Sequence, residues 1–230
     1  MVILTLKLSF AILIGCVSGL VSQEMAKTKY IAVAGNIGCG KSTLVDFICK
    51  TYKVEPFFEP NAENPYLVDF YRDMKRWAFH SQIYFLTHKF RIHRELEKRR
   101  QTATVIQDRT IYEDAEIFAA YLRRRRFILK REWGLYNDLY ETILEALQPP
   151  DLMIYLRASV RTIRSRIQLR GRPEEQQIPT SYLRSLNHLY EGWFEGYKRS
   201  PTIVLETDNL NYLEDLEHRI DIDKTIRRYL

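Results

Sequence analysis

The 230-residue chain has only three cysteines, Cys16, Cys39 and Cys49, and no Cys-x-x-Cys spacing among them. A disulfide framework and a cysteine-based zinc site are thereby excluded, and the pattern suits a reduced intracellular protein. Histidine is scarce too. Of five, His88 and His93 lie five apart, and no His-Glu-x-x-His occurs, which argues against a metal cage of His and Cys. Internal repeats, linkers and low-complexity tracts are missing. Nor does one sign of charge dominate: 35 Lys+Arg face 29 Asp+Glu, for a net charge of +6. Such a mild basic excess fits an anionic ligand, whether nucleotide, nucleic acid or membrane surface, without choosing among them. With 46% apolar and 28% charged residues, disordered, collagen-like and rod-like coiled-coil chains are excluded as well.

Long hydrophobic runs are confined to the front. Residues 1–21 are almost all apolar, yet the run Leu8 to Gly15 has the length of a signal-peptide core, not of a membrane span. Leu13-Ile14-Gly15-Cys16 resembles a lipoprotein cleavage box. Met25-Ala26-Lys27-Thr28-Lys29 then leads directly into the first globular strand. We expect residues 1–24 to be an apolar leader or, preferably, a spurious extension from an upstream start codon. Residues 25–230 then form a single cytoplasmic domain with no membrane partner.

Tyr30 to Ala34 is an apolar run ending in glycines, which predicts a buried parallel strand. Helix is expected from Ser42 to Thr51, strand at Val54 to Phe58, and a long helix from Asp73 to Arg100 with Phe79, Ile83, Leu86 and Phe90 on one face. Strands follow at Thr102 to Gln107, Leu152 to Leu156 and Thr202 to Leu205. Helices are expected at Ile111 to Trp133, Tyr136 to Leu147, Val160 to Leu169 and around Leu183 to Trp193. Arg170 to Pro179 reads as an exposed loop. The alternation predicts an α/β fold, with a five-stranded parallel sheet flanked by helices.

Gly35-Asn36-Ile37-Gly38-Cys39-Gly40-Lys41-Ser42, followed by Thr43, fits the phosphate-loop pattern G-x-x-x-x-G-K-[ST] between a strand and a helix start. Glycines allow the tight turn and aim successive N–H groups into one concavity. The helix N-terminus adds unpaired donors and a positive dipole end. Lys41 supplies a mobile charge for the β- and γ-phosphates, and the Ser42 hydroxyl can hold Mg²⁺. Cys39 fills a variable position of the loop. A nucleoside triphosphate with Mg²⁺ follows. The chain has no Asn-Lys-x-Asp guanine reader, which counts against a GTPase.

Three further segments stand in order along the chain: Phe57-Phe58-Glu59-Pro60, Gln107-Asp108-Arg109-Thr110, and Arg170-Gly171-Arg172-Pro173-Glu174-Glu175. With the phosphate loop they resemble the deoxynucleoside kinases. The bacterial deoxyadenosine/deoxyguanosine kinases are the nearest flavour, through Glu63-Asn64-Pro65 and the aromatics after it. The resemblance runs from about Lys29 to Leu205 and implies a P-loop kinase fold with an arginine-rich lid over about residues 166–179. It implies transfer of the ATP γ-phosphate to the 5′-hydroxyl of a deoxynucleoside in nucleotide salvage, with Mg²⁺, in a homodimer. It further implies that Glu59 takes the 5′-hydroxyl proton, that Asp108 joins Ser42 at the metal, and that Arg109 offsets transition-state charge. Arg166, Arg170 and Arg172 would be lid arginines, while Glu175 and Tyr71 would meet the sugar. Gln82 would read the base edge and Phe118 stack on the base, with Trp77 helping to wall the pocket. Asp114 would pair with Lys89, where relatives carry an arginine, and this position leans toward purines. Asp108 and Thr110 stand where Glu and Ser are commoner.

Two alternatives stay open from the residues: a thymidylate-like nucleoside monophosphate kinase and a non-catalytic accessory subunit of kinase fold. The run Arg123-Arg124-Arg125-Arg126 points all round a helix and has no interleaved aromatic platform, so it reads as solvated surface with no nucleic-acid partner.

Overall fold

The computed structural model describes residues 28–58, 64–210 and 215–229. The leader at 1–24 and the expected base Glu59 both lie outside the described residues.

Strand β1 (Tyr30–Gly35) is buried along its whole length, as a run of Ile, Val and Ala without alternation requires when both sheet faces are covered. Helix α1 (Lys41–Thr51) follows it through the phosphate loop. The remaining strands are β2 (Val54–Phe57), β3 (Thr104–Asp108), β4 (Leu152–Arg157) and β5 (Thr202–Glu206). They form a five-stranded, wholly parallel sheet in the order β2-β3-β1-β4-β5. In this order β1 lies between β3 and β4, and the chain runs to either side of it. A crevice therefore opens at the carboxyl ends of β1 and β3, where open α/β sheets take their ligands. The register sets Val33 beside Asp108, so the end of β3 stands next to the start of the phosphate loop.

Two helices lead away from β2. Short α2 (Leu67–Arg72) was not evident in the sequence, and the 27-residue α3 (Met74–Arg100) matches the long helix expected there. Asp73 starts α3 by accepting the Arg76 N–H, an ordinary N-cap.

The helix expected from Ile111 to Trp133 is interrupted. It consists of α4 (Ile111–Glu113), a π-helical turn (Asp114–Ala119) and α5 (Ala120–Arg124), and Arg126, at φ 60°, helps end it. A new helix, α6 (Lys130–Leu144), contains both Trp133 and Tyr136. The widened turn is held from outside. Glu116 accepts from Tyr140 Oη at 2.6 Å, Trp193 Nε1 at 2.6 Å and Arg199 Nη2 at 2.7 Å. Helical periodicity cannot register that constraint.

Helix α7 (Val160–Arg170) ends on Gly171, at φ 69°. Beyond it the expected loop contains one helical turn, α8 (Pro173–Gln176), with Pro173 at its first position and Glu175 buried. Helix α9 (Thr180–Gly196) packs Tyr182, Leu183, Leu186 and Tyr190 into the core, and α10 (Leu216–Arg227) buries Ile222 and Ile226. No helix among the described residues is long and apolar enough to cross a membrane.

Candidate active site

A cavity of about 540 Å³ opens over the phosphate loop. Its wall includes Ile37 to Thr43 from the loop, Asp108 and Arg109 from the end of β3, and Arg166, Arg170, Arg172 and Glu175 from α7 and the segment after it. Tyr71, Gln82, Asp114 and Phe118 line it too. Residues far apart in sequence, marked out for two different substrates, thus face one space.

The phosphate loop is shaped by close backbone approach. Gly35 is at φ 147°, and a Cβ there would stand 2.6 Å from Cys39 Sγ and 2.8 Å from the Leu156 carbonyl. Gly38 is at φ 78°, where a Cβ would meet Ile167 Cγ1 at 2.8 Å. Only glycine fits both demands. Asn36 turns its side chain away from the cavity: Nδ2 donates to the Leu183 carbonyl at 3.0 Å and to Asn187 Oδ1 at 2.9 Å, and Oδ1 accepts the Ile37 N–H at 2.8 Å. The loop is thus tied to α9. Lys41 Nζ donates to the carbonyls of Gly35 at 2.8 Å and Asn36 at 3.0 Å. Burial pushes the Cys39 thiol up, and the Lys41 ammonium only partly opposes it, so Cys39 acts as a small apolar filler.

At the end of β3 the chain makes a sharp turn. Arg109 has a left-handed backbone, φ 61°, a costly conformation for a residue with a Cβ. Its N–H donates to the Val33 carbonyl at 3.0 Å. Lys89, fully buried on α3, donates to the carbonyls of Asp108 at 3.2 Å and Arg109 at 2.7 Å. Lys89 therefore fixes the strained turn, a duty the sequence did not reveal. The Arg109 guanidinium lies 4.4 Å from the Phe118 ring centre, a cation–π contact, and donates to the Tyr190 hydroxyl at 3.3 Å. Phe118 thus carries the arginine on one face while lining the cavity.

Ser42 Oγ donates to Asp108 Oδ2 at 2.5 Å. The other carboxylate oxygen, Asp108 Oδ1, is buried and has no hydrogen-bond partner among the described residues. An orphaned carboxylate oxygen beside a hydroxyl at a phosphate loop is a donor set that fits a hard divalent cation sharing its shell with phosphate oxygens and water. Among the described residues no cluster of His, Cys, Asp and Glu could hold a metal unaided.

Gln82 Oε1 is likewise buried without a partner among the described residues, on a side chain that lines the cavity. Asp114, which lines the same cavity, opens the π-helical turn and is buried. At the end of α7 Arg170 pairs with Glu175, and Arg172 approaches the same carboxylate at 3.3 Å. Arg166 Nη1 donates to the Cys39 carbonyl at 2.9 Å and to Thr207 Oγ1 at 3.0 Å, so α7 is joined to the loop. Trp77 is not part of the cavity wall; it stacks on Tyr66 with ring centres 5.7 Å apart.

The sequence missed Lys89 as a turn-holder, Tyr182 as a wall residue, Thr207 beside the loop, and Glu113 and Tyr190 behind Arg109. Each acts through a contact across the fold. Only the short step from Thr110 to Glu113, a capping-box spacing, was readable in advance.

A family model described as deoxynucleoside kinase matches residues 31–230. Deoxyadenosine/deoxycytidine kinase of Bacillus subtilis is 35% identical over 195 residues, covering 84% of this chain and 89% of that protein. Deoxyadenosine kinase of Lactobacillus acidophilus is 32% identical, covering 85% and 94%. Deoxyguanosine kinase of Lactobacillus johnsonii is 33% identical, covering 84% and 88%. The solved structure of deoxyadenosine kinase from M. mycoides with bound dCTP superposes with a TM-score of 0.73 at 33% identity, covering 87% of this chain and all of that one.

Proposed function

The chain belongs to the deoxynucleoside kinase family, and from that premise we propose that it moves the γ-phosphate of ATP to the 5′-hydroxyl of a deoxynucleoside, with deoxyadenosine preferred. One observation carries the reading: the phosphate loop, the Asp108-Arg109 strand end, the lid arginines, Gln82 and Asp114 all line a single cavity.

In this reading the N–H groups of the loop and the Lys41 ammonium hold the triphosphate, with Gly38, Gly40, Ser42 and Thr43 along its path. Ser42 and Asp108 would hold Mg²⁺, which would supply positive charge to offset that of the phosphates. Glu59 is the general base. It stands two positions after Phe57, the last residue of β2, whose carboxyl end belongs to the ligand side of the sheet. A carboxylate in hydrogen-bond reach of the 5′-hydroxyl orients it and accepts its proton as the O–P bond forms. Arg109 then meets the charge gathering on the transferred phosphoryl group. Arg166, Arg170 and Arg172 close over the phosphates and exclude water, and Glu175 with Tyr71 holds the sugar. For the base, the Gln82 amide offers one acceptor and one donor, matching the amino group and ring nitrogen of adenine. The Asp114 carboxylate adds a second acceptor for amino hydrogens. The names of two relatives and of the solved structure described above include deoxyadenosine.

A thymidylate-like kinase would need cations around an acceptor phosphate. Here Gln82 and Asp114 supply an amide and an anion, which favours a neutral acceptor. The chain pairs as a homodimer through its long helices, a reading supported by the exposed Leu135 and Leu139 on α6.

The test is turnover with the four natural deoxynucleosides and with dTMP, using ATP and Mg²⁺. Deoxyadenosine is expected to give the highest kcat/KM. Faster turnover of dTMP contradicts the reading.

A further inference from the structure

Glu113 and Tyr190 belong to none of the motifs above, yet they lie directly behind the site. Glu113 is fully buried, and four donors converge on its carboxylate. Oε1 accepts the Gly35 N–H at 3.1 Å and the Tyr190 hydroxyl at 2.9 Å. Oε2 accepts the Thr110 N–H at 2.8 Å and the Thr110 hydroxyl at 3.1 Å. A carboxylate taken out of water is costly unless its lone pairs are met, and here each oxygen meets two donors. The Thr110 side is an ordinary capping box, sufficient to start α4. The Oε1 side is not needed for that purpose. It reaches the first glycine of the phosphate loop, 78 positions earlier, and a tyrosine on α9.

The tyrosine sets the direction of the network. Burial pushes the Tyr190 hydroxyl well above the usual phenol range, so it keeps its proton. A phenol has one proton to give, and Tyr190 gives it to Glu113. Its lone pairs are then turned toward Arg109 Nη1, 3.3 Å away. The guanidinium also lies against Phe118, whose ring packs edge-on to Tyr190 at 6.3 Å. One carboxylate thus touches the donor cradle directly and reaches the acceptor-side arginine through one hydroxyl.

We propose that Glu113 and Tyr190 are positioning residues for phosphoryl transfer: Glu113 fixes the Gly35 end of the phosphate loop and, by orienting the Tyr190 hydroxyl, holds the Arg109 guanidinium in register with it. The proposal rests on the reading above for the role of Arg109. In-line transfer depends on the mutual placement of donor and acceptor groups, and small errors in that placement lower turnover more than binding.

Tyr190→Phe tests it with little disturbance, since the ring and its packing stay and only the hydroxyl is lost. The turnover number should fall about tenfold, as expected for one lost positioning hydrogen bond. KM for ATP and for deoxyadenosine should stay within about twofold of wild type, because uniform binding is untouched. The melting temperature and calorimetric ADP affinity should be retained. Glu113→Gln should show a larger fall, since an amide NH₂ faces two of the four donors. If that variant fails to fold, Tyr190→Phe still decides the matter. Wild-type kcat in Tyr190→Phe overturns the proposal. So does a fall in kcat that comes with matching losses of melting temperature and ADP affinity, which marks a purely structural role. A wild-type enzyme that phosphorylates no deoxynucleoside is a different failure: it defeats the proposed function.

Discussion

Ser42 Oγ and Asp108 Oδ2 lie 2.5 Å apart, joining the first turn of α1 to the last residue of β3. This contact links the phosphate loop to the next strand of the sheet and leaves Asp108 Oδ1 facing inward without a partner among the described residues. Replacing Asp108 with Asn keeps the size and removes the charge. We expect the Mg²⁺ concentration for half-maximal activity to rise and kcat to fall, each by roughly 10–100-fold, the usual range for weakened metal support. A Mg²⁺ titration of the variant measures both, and an unchanged titration curve removes Asp108 from the metal site.

Gly38 and Gly171 are both left-handed, at φ 78° and φ 69°, but only Gly38 is crowded. Gly38→Ala drives a Cβ toward Ile167 Cγ1, while nothing lies within 4 Å of a Cβ at Gly171. The first change should cost about 2–4 kcal/mol from overpacking plus backbone strain and raise the KM for ATP. Gly171→Ala should cost only about 1–2 kcal/mol, the backbone term alone. Denaturant melts of the two variants compare these costs, and equal losses contradict the packing explanation.

Glu59→Gln removes the proposed base while leaving its hydrogen-bonding shape. Turnover should drop by about 10²–10⁴-fold with the fold retained, which is the range for losing general-base assistance. Steady-state assay with circular dichroism checks this. Turnover close to wild type excludes Glu59 as the base.

His93 gives a pH signature unrelated to the reaction. Burial, with a smaller contribution from Arg100, lowers its pKa to about 4 from 6.5. Glu97 Oε1 stands 3.4 Å from His93 Nε2 without forming a hydrogen bond, so it does not outweigh burial. The folded protein therefore resists a proton that the unfolded chain accepts. The stability linked to His93 is present above pH 6.5 and is lost as pH falls toward 4, by about 3 kcal/mol over that window. His93→Gln should flatten the pH dependence of the denaturation midpoint there, and an unaltered slope contradicts the assignment.

How much of this was legible beforehand differs by residue. β1, the phosphate loop and α1 could be read in full, because a buried strand, three glycines and a Lys-Ser pair are local signals. The sheet was legible as a type, since strands and helices alternate. Its order, β2-β3-β1-β4-β5, brings Asp108 beside Val33, and pairing across 75 residues has no local signature. The π-helical turn was hidden because Glu116 is held by Tyr140 and Trp193 from other helices and by Arg199 from the segment after α9. Lys89 was read as a partner for Asp114 from its place in a family pattern. Its contacts to the Asp108 and Arg109 carbonyls exist only once α3 packs on β3. Glu113 forms a capping box with Thr110, and its other oxygen accepts from Gly35 and Tyr190, contacts that no local spacing announces.

The most direct measurement follows the phosphoryl group itself. The protein is incubated with Mg²⁺, deoxyadenosine and ATP labelled in the γ-phosphate, and the products are separated and counted. Label should appear in deoxyadenosine 5′-monophosphate, one equivalent for each ADP formed, and Lys41→Ala should abolish most of it. Folded protein that forms no labelled 5′-monophosphate from deoxyadenosine or from any of the other three deoxynucleosides would contradict the assignment of this cavity to phosphoryl transfer.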